Sequence, residues 1–153
     1  MTRIIIIALA LALVTVASDL PSRKYLNLAA LKTLAGAAEA EAHKRNVNVT
    51  ICIVDESGNT IFLQKGEGVT LNTLQFAQRK AKYAALYGQP SKAAKDQLVG
   101  GNMAVLAYPD SFPDQGGVPI KVDGITIGAI ACSGAPSAVD EAISQAAVDA
   151  LLK

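Results

Sequence analysis

The segment GGVPIKVDGITIGAIACSG carries the strongest local constraint in the chain, because two β-prone runs meet at Asp123 and Gly124. A two-residue type I′ turn needs positive φ at both central positions, which an Asp-Gly pair tolerates and most pairs do not, so the runs are committed to an antiparallel hairpin. An earlier stretch behaves alike. VNVTICIVD alternates Val47, Val49, Ile51 and Ile53 with a second set, DESGN supplies turn chemistry over 55–59, and TIFLQK follows. Helical runs flank the hairpins instead of alternating singly with strands, which predicts an antiparallel sheet and the α+β class.

The helical runs are punctuated. Asn27 is placed to cap a helix over 28–45, with Leu28, Leu31, Ala35, Ala38 and Ala42 as its apolar stripe and Lys32, Glu39 and His43 on the opposite side. A second helix spans 72–87 and stops at Gly88, with Pro90 beyond. Ser91 opens a shorter third helix that fades at Gly100 and Gly101, and MAVLAY reads as a brief strand. Ser137 and Asp140 resemble a capping box for a last helix burying Val139, Ile143, Ala146, Ala147, Ala150 and Leu151. No linker or repeat interrupts the pattern, so one domain covers 25–153.

Residues 1–17, MTRIIIIALALALVTVA, join one base, Arg3, to an apolar run of about eleven residues and then to small residues. That run is too short for a comfortable membrane span. It predicts a signal peptide cut near Ala17 and a secreted or periplasmic product with no stable membrane insertion, an uncleaved signal-anchor and a buried first helix being the alternatives. The chain has 14 Lys and Arg against 13 Asp and Glu, and loss of Arg3 makes the two equal. A balanced charge excludes a general nucleic-acid binder. Export also places Cys52 and Cys132 in an oxidising compartment, where they either pair across neighbouring strands or stay as buried thiols. Their wide separation, with no nearby ligand, argues against zinc.

Motifs for phosphate loops, dinucleotide folds, zinc proteases and nucleophile elbows are missing. Four features remain. His43, the single histidine, lies near a helix C-terminus, either as a solvated imidazole or as an axial ligand to haem iron. AQRKAKY concentrates Arg79, Lys80, Lys82 and Tyr83 on one helix, a solvated basic face or a site for a carboxylate. Gly116 and Gly117 before Val118 and Pro119 offer backbone N–H groups to an oxyanion or satisfy a loop needing positive φ. Asp55 and Glu56 suit a turn.

IVDESGNTIFLQKGEG, AQRKAKYAALYGQPS and GGVPIKVDGITIGAIACSGAPSAVDEAISQAA, in this order, resemble the GlcG/HbpS-like family, which includes the PduO C-terminal domain. The resemblance covers about 26–152. It implies a profilin-like α+β fold with a five-stranded antiparallel sheet flanked by helices, assembly into dimers to octamers, and haem or iron binding linked in secreted members to haem degradation and redox sensing. Carried over by residue, His43 becomes the ligand candidate; Arg79 and Lys80 match the family's basic pair, with either one pairing a haem propionate. Ser91 matches the hydroxyl after the proline, and Gly116, Gly117, Val118 and Pro119 match its G-G-x-P loop. An E-x-x-E iron motif is not evident, because Gln75 and Gln78 stand on the second helix. Two other classes stay open. One is a cofactor-independent isomerase or lyase for a carboxylated substrate, with Lys80, Tyr83 or His43 as acid/base; the other is a non-catalytic sensory or interaction module.

Overall fold

The computed structural model describes residues 21–153, and the leader read at 1–17 lies outside the described residues. Helix α1 (Leu28–Lys44) leads into the hairpin β1 (Thr50–Asp55) and β2 (Thr60–Gln64). Helices α2 (Asn72–Tyr87) and α3 (Lys92–Val99) follow, then a 3₁₀ segment (Met103–Ala107), the hairpin β3 (Gly117–Val122) and β4 (Ile125–Ser133), and α4 (Ser137–Leu151). All neighbouring strands are antiparallel, in the order β2-β1-β4-β3.

The local signals explain most of these boundaries. Asn27 Oδ1 accepts the Ala30 N–H at 2.9 Å, capping α1. Gly88 ends α2 in the left-handed region, at φ 61°. Asp123 and Gly124 hold φ 53° and 78°, as the type I′ turn requires. The expected stripe on α1 is buried at Leu31, Ala35, Ala38 and Ala42; Leu28, at the first turn, is 67% exposed, and Leu34 joins the stripe fully buried.

The sheet has four strands among the described residues, not the expected five. MAVLAY is where the fifth is missing. Its Val105 alone is buried, against Tyr83 and Ala94, while Met103 and Leu106 face outward, so the segment lacks the alternating buried face of a strand. Nor does β3 offer it an edge. Gly117 points its N–H and C=O away from β4, and Ser91 takes both: its Oγ accepts from Gly117 N at 2.9 Å and its N–H donates to Gly117 O at 2.9 Å. Two residues on, Pro119 has no N–H to give.

Each face of the sheet packs a different helix layer. Ile51 and Ile53 of β1, Ile130 and Cys132 of β4, and Val118 and Ile120 of β3 meet α1 and α4. The other face presents Cys52, Val54, Ala129 and Ala131 to Ala77, Ala81, Ala84 and Ala85 of α2. Alanine on both sides lets α2 lie close to the sheet. The register settles the cysteines: Cys132 is opposite Ile51, and Cys52 is opposite Ala131. An offset of one residue puts the two thiols on opposite faces, and both are free. Burial pushes Cys52 up to about 11 and Cys132 up to about 12.

One interaction ties the two layers together. Lys80 of α2 is completely buried, and its Nζ passes the end of β3 to reach Asp140 Oδ2 of α4 at 3.1 Å and Gln115 O at 3.2 Å. Asp114 Oδ2 lies 3.6 Å away. Burial holds the Asp140 carboxyl above its ordinary range, against the downward pull of the Lys80 ammonium. A buried pair of this kind costs desolvation about as much as it returns, yet a single remaining partner would be a buried charge without compensation.

Two outcomes follow from the packing. Thiol labelling of the native protein should be slow, and unfolding without reductant should release two reactive thiols; a molecule that stays two mass units short of the reduced chain would contradict the register. Lys80→Met or Asp140→Leu should each lose about 3–5 kcal/mol in chemical denaturation, while the two substitutions combined should recover most of that loss. Additive single losses in the double variant would show that the two side chains are not coupled.

Candidate functional site

The structure sorts the sequence's candidate residues into three places. Lys80, Ser91, Gly116 and Gly117 converge at the end of β3, where the glycines leave room for the lysine. A Cβ on Gly116, whose φ is 140°, would sit 2.6 Å from Lys80 Nζ; one on Gly117 would sit 2.3 Å from Lys80 O. Ser91 occupies the cap position of α3 but spends its hydroxyl on Gly117, so it does not cap the helix. The Gly117 N–H is thereby occupied, which removes one of the two donors of the oxyanion reading. Gly116 O accepts from Ser144 Oγ at 2.8 Å. Pro119 lies on the α2 face of β3, opposite Ala129.

Around this node stand groups that sequence reasoning missed. Asp114 Oδ1 accepts from Ser137 Oγ at 3.0 Å, and Gln115 Nε2 donates to Glu141 Oε1 at 3.1 Å. Ser111 Oγ and Glu141 Oε2 are buried without a hydrogen-bond partner. The expected capping box does not form: Pro136, not Ser137, is the N-cap of α4, Ser137 gives its hydroxyl to Asp114, and Asp140 Oδ1 accepts from Ala135 N at 3.0 Å while its other oxygen faces Lys80. The signal for Asp140 was in the sequence, but its partner is sixty residues away.

Tyr83 is buried beneath α3, accepting from Gln89 Nε2 at 2.9 Å and stacking on Tyr87 at 4.4 Å between ring centroids. Burial raises its hydroxyl above the ordinary tyrosine range. Arg79, four residues earlier, is exposed, with its Cζ 4.3 Å above the ring of Phe112. The two therefore share no open surface. Lys80 and Tyr83, both sealed from solvent, are held groups and not an accessible acid/base pair. Lys80 is likewise unavailable to a propionate.

His43 stands alone at the far end of α1. It lines an open cleft of about 290 Å³ with Glu39, Ala42, Val47, Asn48, Val49, Ile51, Gln64, Lys65, Gly66 and Glu67, and none of the other seven candidates contributes. The cleft has an apolar back, Ala42, Val49 and Ile51, and a polar rim. Glu39 is engaged by Gln64 Nε2. Among the described residues, no side-chain hydrogen bond or ion pair engages the imidazole, and no group of three or more His, Cys, Asp or Glu is arranged to hold a bare metal ion.

The family model described as haem degrading protein HbpS-like matches residues 26–149. Protein GlcG of Escherichia coli (strain K12) is 32% identical over 97 residues, 63% of this chain and 72% of GlcG. A double mutant of HbpS from Streptomyces reticuli superimposes with a TM-score of 0.79 at 27% identity, covering 95% of this chain and 99% of HbpS. PduOC, solved as its complex with haem, gives a TM-score of 0.76 at 25% identity, covering 83% of this chain and 95% of PduOC. By the extent of the family match and the likeness to GlcG, the chain belongs to the HbpS-like family.

Proposed function

We propose that this protein is an exported, oligomeric haem-binding protein with His43 as the axial ligand. The observation that carries the reading is the state of that side chain: an exposed imidazole with no side-chain partner, on the wall of an open cleft. One imidazole is sufficient for five-coordinate haem. The PduOC structure, a haem complex of the same fold, supports the choice of ligand.

The residues present fit the edge of a porphyrin. The cleft is near the low end of the roughly 300–1,000 Å³ typical of small-molecule sites, which leaves the rest of a macrocycle to solvent or to a neighbouring subunit. Ala42, Val49 and Ile51 back the cleft but are almost wholly buried, so a porphyrin edge would meet mainly the rim groups, among which Lys65 is the cation placed to meet a propionate. That role moves from Lys80, which is buried, and from Arg79, which does not line this cleft. Bound haem would supply the iron and its redox chemistry; the protein would supply the ligand nitrogen and the rim charge. The apolar leader supports export, after which the domain would work outside the cytoplasm.

Haemin titration should produce a Soret band with a saturable endpoint. His43→Ala should abolish the shift while leaving the far-ultraviolet circular dichroism unchanged, and Lys65→Met should weaken binding by about tenfold or less. An identical spectrum for the His43 variant would remove His43 from the iron. Mass spectrometry of protein recovered from the extracytoplasmic fraction should find an amino terminus near Ser18; an intact Met1 there would overturn cleavage.

A further inference from the structure

The basic run of α2 has three cations, and the structure spends two of them. Lys80 is consumed by Asp140 and Gln115 O in the interior, and Lys82 Nζ meets Asp110 Oδ1 at 2.7 Å. Arg79 is different. Among the described residues it has no ion-pair partner, and its guanidinium carbon sits over the Phe112 ring, 4.3 Å from the centroid. Phe76, three residues earlier and so on the same side of α2, is 39% exposed and meets Phe112 at 5.4 Å and 58°. Helix α2 and the 3₁₀–β3 connection thus present a held guanidinium beside an aromatic flank.

We propose that Arg79, Phe76 and Phe112 form a recognition site for a planar aromatic carboxylate. Contact with Phe112 limits the rotamers of the guanidinium, so less conformational entropy is lost when its N–H fork engages an anion. The fork edge matches the two oxygens of a carboxylate. Phe76 offers an apolar surface for the ligand's ring, which an inorganic anion would leave unused. Arginine stacked on aromatic surface is also weakly hydrated, which lowers the cost of bringing an anion to it. This site shares no lining residue with the His43 cleft and does not depend on the haem reading.

The test is titration of the exported protein with benzoate, followed by ¹⁵N–¹H correlation spectra. Saturable shifts should be confined to residues near 75–82 and 110–114, with an affinity of roughly millimolar order for so small a ligand. Benzamide, the neutral counterpart, should bind about tenfold more weakly or worse. Arg79→Lys retains the charge but loses the flat fork, and should cost about tenfold; Phe76→Ala should weaken benzoate but not acetate. His43→Ala should leave the benzoate shifts unaltered. The proposal is overturned by equal binding of benzamide, by wild-type affinity in Arg79→Lys, by shifts centred on the His43 cleft, or by no saturable shift at all.

Discussion

A lysine ammonium without solvent exposure must be given partners before anything near it can settle, and the end of this sheet is organised around that requirement. Lys80 starts on α2, on one face, and ends at Asp140 of α4, on the other. Such a path exists only where the sheet ends and side chains are absent, which is why Gly116 and Gly117 are glycines. The same carboxylate accepts the Ala135 N–H ahead of α4, so the lysine, the entry into the last helix and the first residues of β3 are one arrangement. Desolvation cancels much of the attraction, so the pair contributes mainly to which arrangement forms, since any other leaves a charge buried alone.

The two layers then take different work. On the α2 side, alanines from helix and sheet bring backbone close to backbone, leaving no volume for a ligand between them. On the other side, larger isoleucines and leucines separate α1 from the sheet, and the cleft with His43 opens where α1 ends and the chain turns back into β1. Accessible chemistry is therefore on the periphery, at a helix terminus and on an outward helix face. The residues that looked most reactive in the sequence, Lys80 and Tyr83, are the ones the core has absorbed.

How much of this was legible follows from the range of each interaction. The turn at Asp123 and Gly124, the Asn27 cap and the Gly88 stop are decided within a few residues, and the sequence shows them plainly. The exposed position of His43 was legible from helix periodicity. MAVLAY was misread because alternation says nothing about whether a strand edge is free, and Ser91 and Pro119 close the one on β3. The cysteines turned on a one-residue register between strands far apart in sequence. Ser137 and Asp140 have the spacing of a cap, but partners at Asp114 and Lys80 outbid the local geometry. Burial of a lysine in a basic run is invisible when the compensating carboxylate comes from another helix.

The buried pair also governs the outer surface. Asp114 lies between Lys80 and Ser137, so the connection that carries Phe112 is anchored within two residues of the ring. At the other end of that connection, Tyr87 Oη donates to Pro109 O at 2.6 Å, and Asp110 meets Lys82. Phe112 is thus fixed from both sides against α2, and Arg79 rests on a support whose position is set in the core. If Asp140 and Lys80 were exchanged for well-packed apolar residues, stability could be regained, but Asp114 would lose the ammonium it faces. What such a replacement would put at risk is the placement of Phe112 beneath Arg79, which gives the molecule a physical reason to keep an ion pair that adds little to its stability.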